Sequence, residues 1–217
     1  MTPGRPCGRR RPVGPSIGAA AALSALAVIW GLRSSTGADV YVSQLGAEGQ
    51  GTAPAFNGAL LLLAAGGLLV ARGCRDHRNR VALLGAWSVT TTLTTASAAF
   101  AVASQVTCTA GCPVPLTPGA GLQDLIHVVV AVVGFGAAAW AMLQVCCSAV
   151  PRGVRLASGA AALAVASVAA AGGLLSVFGV ATDVGALLEF SAMTVAVLWL
   201  AGYASWTSLS GPVDGPG

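Results

Sequence analysis

The side chains that could do chemistry gather near the starts of three apolar segments. Asp124 and His127 lie three residues apart near the start of one segment, so they would share a helix face. Glu189 lies within a second segment at a depth like that of His127, and Asp183 immediately precedes that segment. Asn57 lies near the start of a third segment, and Asn57 and Asp183 are candidate binding residues. If all three segments are helices that begin at one membrane face, these polar groups meet at one level.

This set of side chains would support acid–base or metal chemistry. His127 is a candidate general base or metal ligand, and Asp124 or Glu189 could orient it or complete a ligand set. Ser43, in the loop after the first apolar segment, could supply a hydroxyl. His and carboxylate ligands are compatible with zinc, although the sequence does not identify a metal or cofactor. The alternative interpretation is a structural hydrogen-bond network that ties the helices together.

The composition indicates that these residues lie in a membrane protein. Of 217 residues, 55% are apolar and 8% are charged, whereas a soluble domain carries about 25% charged residues. The mean hydropathy is +0.79. These values exclude an ordinary soluble enzyme, a disordered chain and a coiled coil. They predict one membrane domain over residues 16–207, with disordered tails at residues 1–15 and 208–217.

Six apolar stretches are each close to the ~20 residues that cross a bilayer as a helix. They cover residues 17–32, 55–71, 81–104, 122–146, 156–178 and 184–205. The predicted fold class is therefore an all-α integral membrane bundle of six transmembrane helices.

The basic residues predict the orientation of these spans. All eleven are arginine, and ten of them precede the first span or fall between spans two and three or four and five. Because cytoplasmic loops are rich in arginine, both termini are predicted to be cytoplasmic. The alternative is a signal peptide cleaved near Ala38, which would leave five spans. The use of arginine alone suggests a GC-rich bacterium, and we expect a cell-membrane location with no nucleic-acid partner.

The six cysteines divide into two groups. Cys108 and Cys112 lie in a loop predicted to be extracytoplasmic, where a disulfide is favoured. A redox-active pair is the alternative for these two. The other four are expected to be reduced thiols on or near the cytoplasmic side. They are Cys7, Cys74, Cys146 and Cys147.

Four motifs follow one another along the chain. They are Tyr41-Val42-Ser43-Gln44-Leu45-Gly46-Ala47, Phe56-Asn57-Gly58, Asp124-Leu125-Ile126-His127 and Gly185-Ala186-Leu187-Leu188-Glu189. Together they resemble a bacterial and archaeal membrane family known only as domain of unknown function 998. The resemblance implies six helices with an extracytoplasmic polar cluster and no known substrate. Two departures are Phe190, where the family has arginine, and residues 108–113, where it often has Phe-Pro-x-Asp.

Three hypotheses for function follow. The first is an enzyme, a hydrolase or transferase that acts on a lipid or lipid-linked head group, since the set of Ser, Asp, His and Glu loosely resembles that of intramembrane lipid hydrolases. The second is a non-catalytic protein for assembly, sensing or transport, in which the cluster is structural. The third is a redox protein that uses Cys108 and Cys112. Membrane lipids are the expected partners, and the sequence does not identify any protein partner.

Overall fold

The computed structural model of the chain describes residues 13–37, 39–74, 81–115 and 117–210. Within those residues the chain forms seven α-helices and one 3-10 helix, and no strand. They are α1 (Gly14–Ser34), the 3-10 helix (Ser43–Gly46), α2 (Ala53–Gly73), α3 (Ala82–Gly85), α4 (Val89–Gln105), α5 (Leu122–Cys146), α6 (Arg152–Phe178) and α7 (Thr182–Leu209). Several predictions concern residues outside the described part of the chain. These residues are Arg5, Arg9, Arg10, Arg11, Arg75, Arg78, Arg80, Cys7, Ala38 and most of both predicted tails.

The six long helices form a closed ring. Each packs against its neighbours in the order α1, α2, α4, α5, α6 and α7, and α7 returns to α1. In addition, α7 approaches α2 and α5 across the ring. Ser16 Oγ donates to Ser208 Oγ at 3.2 Å, so the start of α1 and the end of α7 lie at the same end of the bundle. The prediction of an all-helical membrane bundle is confirmed.

The opposite end of the bundle carries two long loops. One joins α1 to α2 and includes the 3-10 helix, and the other joins α4 to α5. We call the described residues of these two loops, within 35–52 and 106–121, the cap. The arginine distribution predicts that the cap is extracytoplasmic.

The predicted count of six spans is not exact. Five of the long helices are long and apolar enough to cross a membrane by length and composition. The helix that falls short is α4, which has 17 residues and is about 25 Å long. The third span was predicted to start at residue 81. Instead, the short helix α3 ends at Gly85, and the long helix α4 starts at Val89. Ser88 explains this start, because its Oγ accepts a hydrogen bond from the Thr91 amide at 3.0 Å and so caps α4.

Glycines allow neighbouring helices to pack at backbone contact. A Cβ added to Gly18 in α1 would lie 2.5 Å from the carbonyl oxygen of Gly66 in α2. A Cβ added to Gly66 would lie 2.6 Å from the Gly18 oxygen. Because lipid tails provide no hydrophobic driving force between helices, such close approach of small residues is a main source of association.

An apolar cluster below the cap holds the 3-10 helix on the bundle. Leu45 and Phe56 are 1% and 2% exposed, and Phe190 of α7 is fully buried with them in the core. The Trp30 ring of α1 packs on Phe190 with the ring centroids 5.4 Å apart, and its Nε1 donates to Thr194 Oγ1 at 2.9 Å. These contacts fix the positions of the polar residues next to them in sequence.

Candidate functional site at the cap end

Asp124 is a fully engaged anchor at the start of α5. Its side chain is 0% exposed. One carboxylate oxygen accepts hydrogen bonds from the Thr109 amide at 2.8 Å and the Thr109 hydroxyl at 3.0 Å. The other accepts from the Gly121 amide at 2.8 Å and from the same hydroxyl at 3.1 Å. An acid in the first turn also suits the positive end of the helix dipole. Asp124 therefore ties the cap to α5.

His127 is held by a backbone carbonyl. Its Nδ1 lies 2.7 Å from the carbonyl oxygen of Val106, at the end of α4. Because a carbonyl only accepts, Nδ1 carries the proton, and Nε2 is the nitrogen left to accept a proton or bind a metal. The Asp124 carboxylate is hydrogen-bonded to Thr109 and Gly121 instead of His127. The expected orienting role of Asp124 is thus performed by the Val106 carbonyl.

Glu189 joins α7 to the cap on the other side of the bundle. It is half-buried, and one of its oxygens accepts a hydrogen bond from the Val42 amide at 3.2 Å. In the part of the chain that the structure describes, no basic side chain forms an ion pair with this carboxylate. The Arg33 guanidinium lies over the neighbouring Phe190 ring, 4.2 Å from its centroid, and donates to the Val40 carbonyl.

Tyr41 lies beside Glu189, and its role was not predicted beyond its place in a motif. The side chain is 6% exposed, and its buried hydroxyl has no hydrogen-bond partner in the structure. The hydroxyl rests against Gly185, where any Cβ would overlap it. Burial raises the pKa of Tyr41, and so do the negative charges of Glu189 and Asp183. The Ser176 hydroxyl on α6 lowers this pKa, by less than burial or Glu189 raises it and by more than Asp183 does.

The remaining predicted residues lie around these anchors. Asn57 Nδ2 donates to the Gly46 carbonyl at 3.4 Å, which is a long bond. Ser43 is half-buried and starts the 3-10 helix. Asp183 is exposed in the first turn of α7. All the predicted residues therefore lie at the cap end, but no hydrogen bond joins the side chains of Asp124, His127, Glu189 and Asn57 to one another.

A disulfide within the α4–α5 loop forms a small ring to which the α1–α2 loop is hydrogen-bonded. Cys108 and Cys112 are bonded, with Cα atoms 5.1 Å apart, as the sequence predicted. The Cys108 carbonyl accepts a hydrogen bond from the Glu48 amide at 3.0 Å. The Gln44 side chain donates to the Gly111 carbonyl at 3.2 Å. Both bonds cross between the loops, so the small disulfide ring serves as a shared attachment point.

Gln123 adds a third bridge that the sequence did not indicate. Its Nε2 donates to Glu48 Oε1 at 2.7 Å and to the Thr107 carbonyl at 2.6 Å. These residues line an open depression of about 510 Å³ on the cap. Its other lining residues are Gln105, Val106, Leu122 and Ile126. His127 is not among the lining residues, so its ring does not form a wall of this depression.

The described residues offer no site for zinc with three protein ligands. Among them, no group of three or more His, Cys, Asp or Glu side chains is arranged to hold a metal ion. Asp124 is engaged by Thr109 and Gly121, and Glu189 is engaged by the cap amide of Val42. At the other end of the bundle, the Cys74 thiol donates to the Val70 carbonyl at 3.2 Å, within α2. Cys146 and Cys147 are unbridged thiols at the end of α5.

The comparisons with known proteins give a family and no more. No curated protein and no solved structure matches this chain. One family model, described as Protein of unknown function (DUF998), matches residues 16–206. This stretch runs from the first turn of α1 into the last turn of α7 and contains the whole cap. The chain therefore belongs to the DUF998 family of proteins of unknown function.

Proposed function

We propose that this protein works in the membrane without catalysing a reaction, as an assembly, sensing or transport protein. In this proposal, Asp124, His127, Glu189 and Asn57 are structural residues that keep the cap rigid over the bundle. The predicted setting is the cell membrane of a GC-rich bacterium, with lipids around the helices, both termini cytoplasmic and the cap extracytoplasmic.

The observation that carries this proposal is the use made of Asp124. Three donors point at the Asp124 carboxylate: the Thr109 amide, the Gly121 amide and the Thr109 hydroxyl, which lies within hydrogen-bond distance of both oxygens. Both carboxylate oxygens are therefore engaged by donors of the loop between α4 and α5. These hydrogen bonds hold the loop between α4 and α5 on the first turn of α5, which is a structural role.

The surroundings of His127 support the same proposal. His127 is 6% exposed, and its one hydrogen-bond contact among the described residues is the Val106 carbonyl at 2.7 Å. A general base must be within hydrogen-bond reach of the proton that it takes from a substrate. The cap depression is the obvious place for a head group, and His127 is not part of its lining.

Thermal unfolding of purified variants tests this proposal without a known substrate. Asp124→Ala and His127→Ala should both unfold at lower temperature than the wild type, because each leaves a buried partner without its hydrogen bond. Asp183→Ala is the matched control, since Asp183 is exposed and its loss should have little effect. Residues kept for catalysis are often neutral or unfavourable for stability. Unfolding of both variants at or above the wild-type temperature would therefore contradict a structural role.

A lipid-directed hydrolase or transferase is the second candidate function. It is favoured by one observation, the Val106 carbonyl that orients the His127 ring and leaves Nε2 as the acceptor. The zinc content of purified wild type and His127→Ala distinguishes a metal-dependent enzyme from the structural proposal. Stoichiometric zinc that is lost in the variant would favour the enzyme. The structural proposal predicts no difference in zinc between the two proteins.

A further inference from the structure

Glu189 lies in an unusual place for a carboxyl group. It is in α7, seven residues after the first residue, Thr182, which corresponds to a depth of about 10 Å along the helix. Its Cγ lies against Gly172 of α6, where an added Cβ would come within 3.5 Å of it. The side chain therefore lies between α6, α7 and the cap. An ionised carboxyl inside a span is energetically costly at the membrane centre and less so toward the ends.

The charged groups near Glu189 do not neutralise it. From the cap it faces Tyr41, and Asp183 on its own helix is a second acid nearby. α1 contributes Arg33, whose guanidinium lies over the Phe190 ring and does not pair with Glu189. The α6 side offers the uncharged Ser176 hydroxyl. A proton is the simplest ligand that removes the charge of a carboxylate in this position.

The Glu189 carboxyl and the Tyr41 hydroxyl can each form further hydrogen bonds. The Glu189 carboxylate accepts one hydrogen bond, from the Val42 amide, through Oε2. The Tyr41 hydroxyl is buried and has no hydrogen-bond partner among the described residues. A protonated acid gains an O–H that a phenolic oxygen can accept, and the phenolic O–H can donate to the acid in either protonation state. Glu189 is half-buried, so its side chain is not sealed inside the bundle.

We infer that Glu189 and Tyr41 form a proton-binding site between α6, α7 and the cap. Glu189 takes up the proton on its carboxyl group, and Tyr41 is the positioning residue that accepts a hydrogen bond from it. Proton binding weakens the bond from the Val42 amide, because a neutral carboxyl is a poorer acceptor than a carboxylate. Occupancy by a proton is thereby coupled to how firmly the cap is attached to α7.

Labelling with dicyclohexylcarbodiimide, an apolar reagent for protonated carboxyls in membranes, tests this site. The acid O–H adds across one C=N bond, the proton goes to nitrogen, and the acyl group migrates to nitrogen as a stable acylurea with no leaving group. We expect the intact protein to carry one adduct at Glu189, formed faster as the pH falls. Glu189→Gln should lose the adduct, and Glu48→Gln, the matched change at an exposed cap carboxyl, should keep it. An adduct yield that is independent of pH would overturn the inference.

Infrared absorption of the carboxylic acid group provides a test that needs no reagent access. We expect a protonated-carboxyl band in the wild type that grows as the pH falls and is missing in Glu189→Gln. Tyr41→Phe should move the midpoint of this titration to lower pH, and Tyr203→Phe, at a buried hydroxyl elsewhere on α7, should leave it unchanged. Identical spectra of wild type and Glu189→Gln would overturn the inference. Loss of the band when Na⁺ is added at constant pH would overturn the inference, because it would show that the site binds a metal cation.

Discussion

At the residue scale, the cap end is built from side chains that bond to backbone groups of distant loops. Asp124 accepts from Thr109 and Gly121, and Glu189 accepts from Val42, which is 147 positions away in sequence. Buried hydrogen bonds of this kind contribute little when made, but leaving their partners unmet costs about 1–3 kcal/mol each. The stability of the cap therefore depends on a few acceptors.

Tyr41 provides a prediction about alkaline pH. Its pKa is raised by burial and by the charge of Glu189, so above the ordinary tyrosine value of about 10 the folded state holds the proton longer than the unfolded state does. Stability should therefore fall as the pH rises through that window. Tyr41→Phe should lose less stability than the wild type between neutral and alkaline pH, as measured by thermal unfolding at a series of pH values. Equal losses in the two proteins would contradict this assignment.

At the element scale, helix contacts at glycine determine how the ring of helices closes. Gly18 and Gly66 bring α1 and α2 together at their backbones. Gly31, at the other end of α1, has open space where a Cβ would be. The two α1 glycines therefore differ in packing while sharing the same helix, which makes them a matched pair.

Gly18→Ala should destabilise the protein by about 1–3 kcal/mol, the usual cost of overpacking. Gly31→Ala should be neutral or slightly stabilising, because alanine is the better helix former and meets no neighbour. Unfolding temperatures in one detergent would compare the two variants. Similar effects of both changes would mean that the α1–α2 backbone contact does not limit stability.

The helices and the cap differ in how far the sequence predicts them. Apolar length predicts the long helices, because each must span the same thickness of lipid. The same criterion misses the break before α4, since the residues from 81 to 104 are apolar or weakly polar throughout and the Ser88 cap is a local hydrogen bond. The pairing of Val42 with Glu189 is a tertiary contact that no helical period encodes. The polar residues of the cap end were predicted, but their partners were not.

At the scale of the whole molecule, the disulfide and the predicted orientation are linked. Cys108 and Cys112 lie in the cap, and Cys74, Cys146 and Cys147 lie toward the other end of the bundle. A disulfide persists in an oxidising compartment, so its place in the cap agrees with the predicted extracytoplasmic side. The disulfide closes a loop with a sequence separation of 4 and should stabilise the protein by about 2 kcal/mol.

A membrane-impermeant maleimide applied to intact cells tests this orientation. It should label Cys108 and Cys112 only after treatment with a reductant, and it should not reach Cys146 or Cys147 until the membrane is opened. A variant with both cap cysteines replaced by serine should show no labelling in intact cells. Labelling of Cys146 or Cys147 in intact cells would reverse the orientation. Labelling of the cap pair without reductant would contradict a stable disulfide.

The central claim, that buried polar side chains hold the cap rigid, is tested most directly by hydrogen–deuterium exchange of wild type and Asp124→Ala. We expect faster exchange in the variant at the Thr109 and Gly121 amides, which lose their acceptor. Exchange should also rise at Glu48, whose amide bonds to the disulfide loop, while the middle of α1 stays protected. Unchanged exchange at Thr109 and Gly121 in Asp124→Ala would contradict the account.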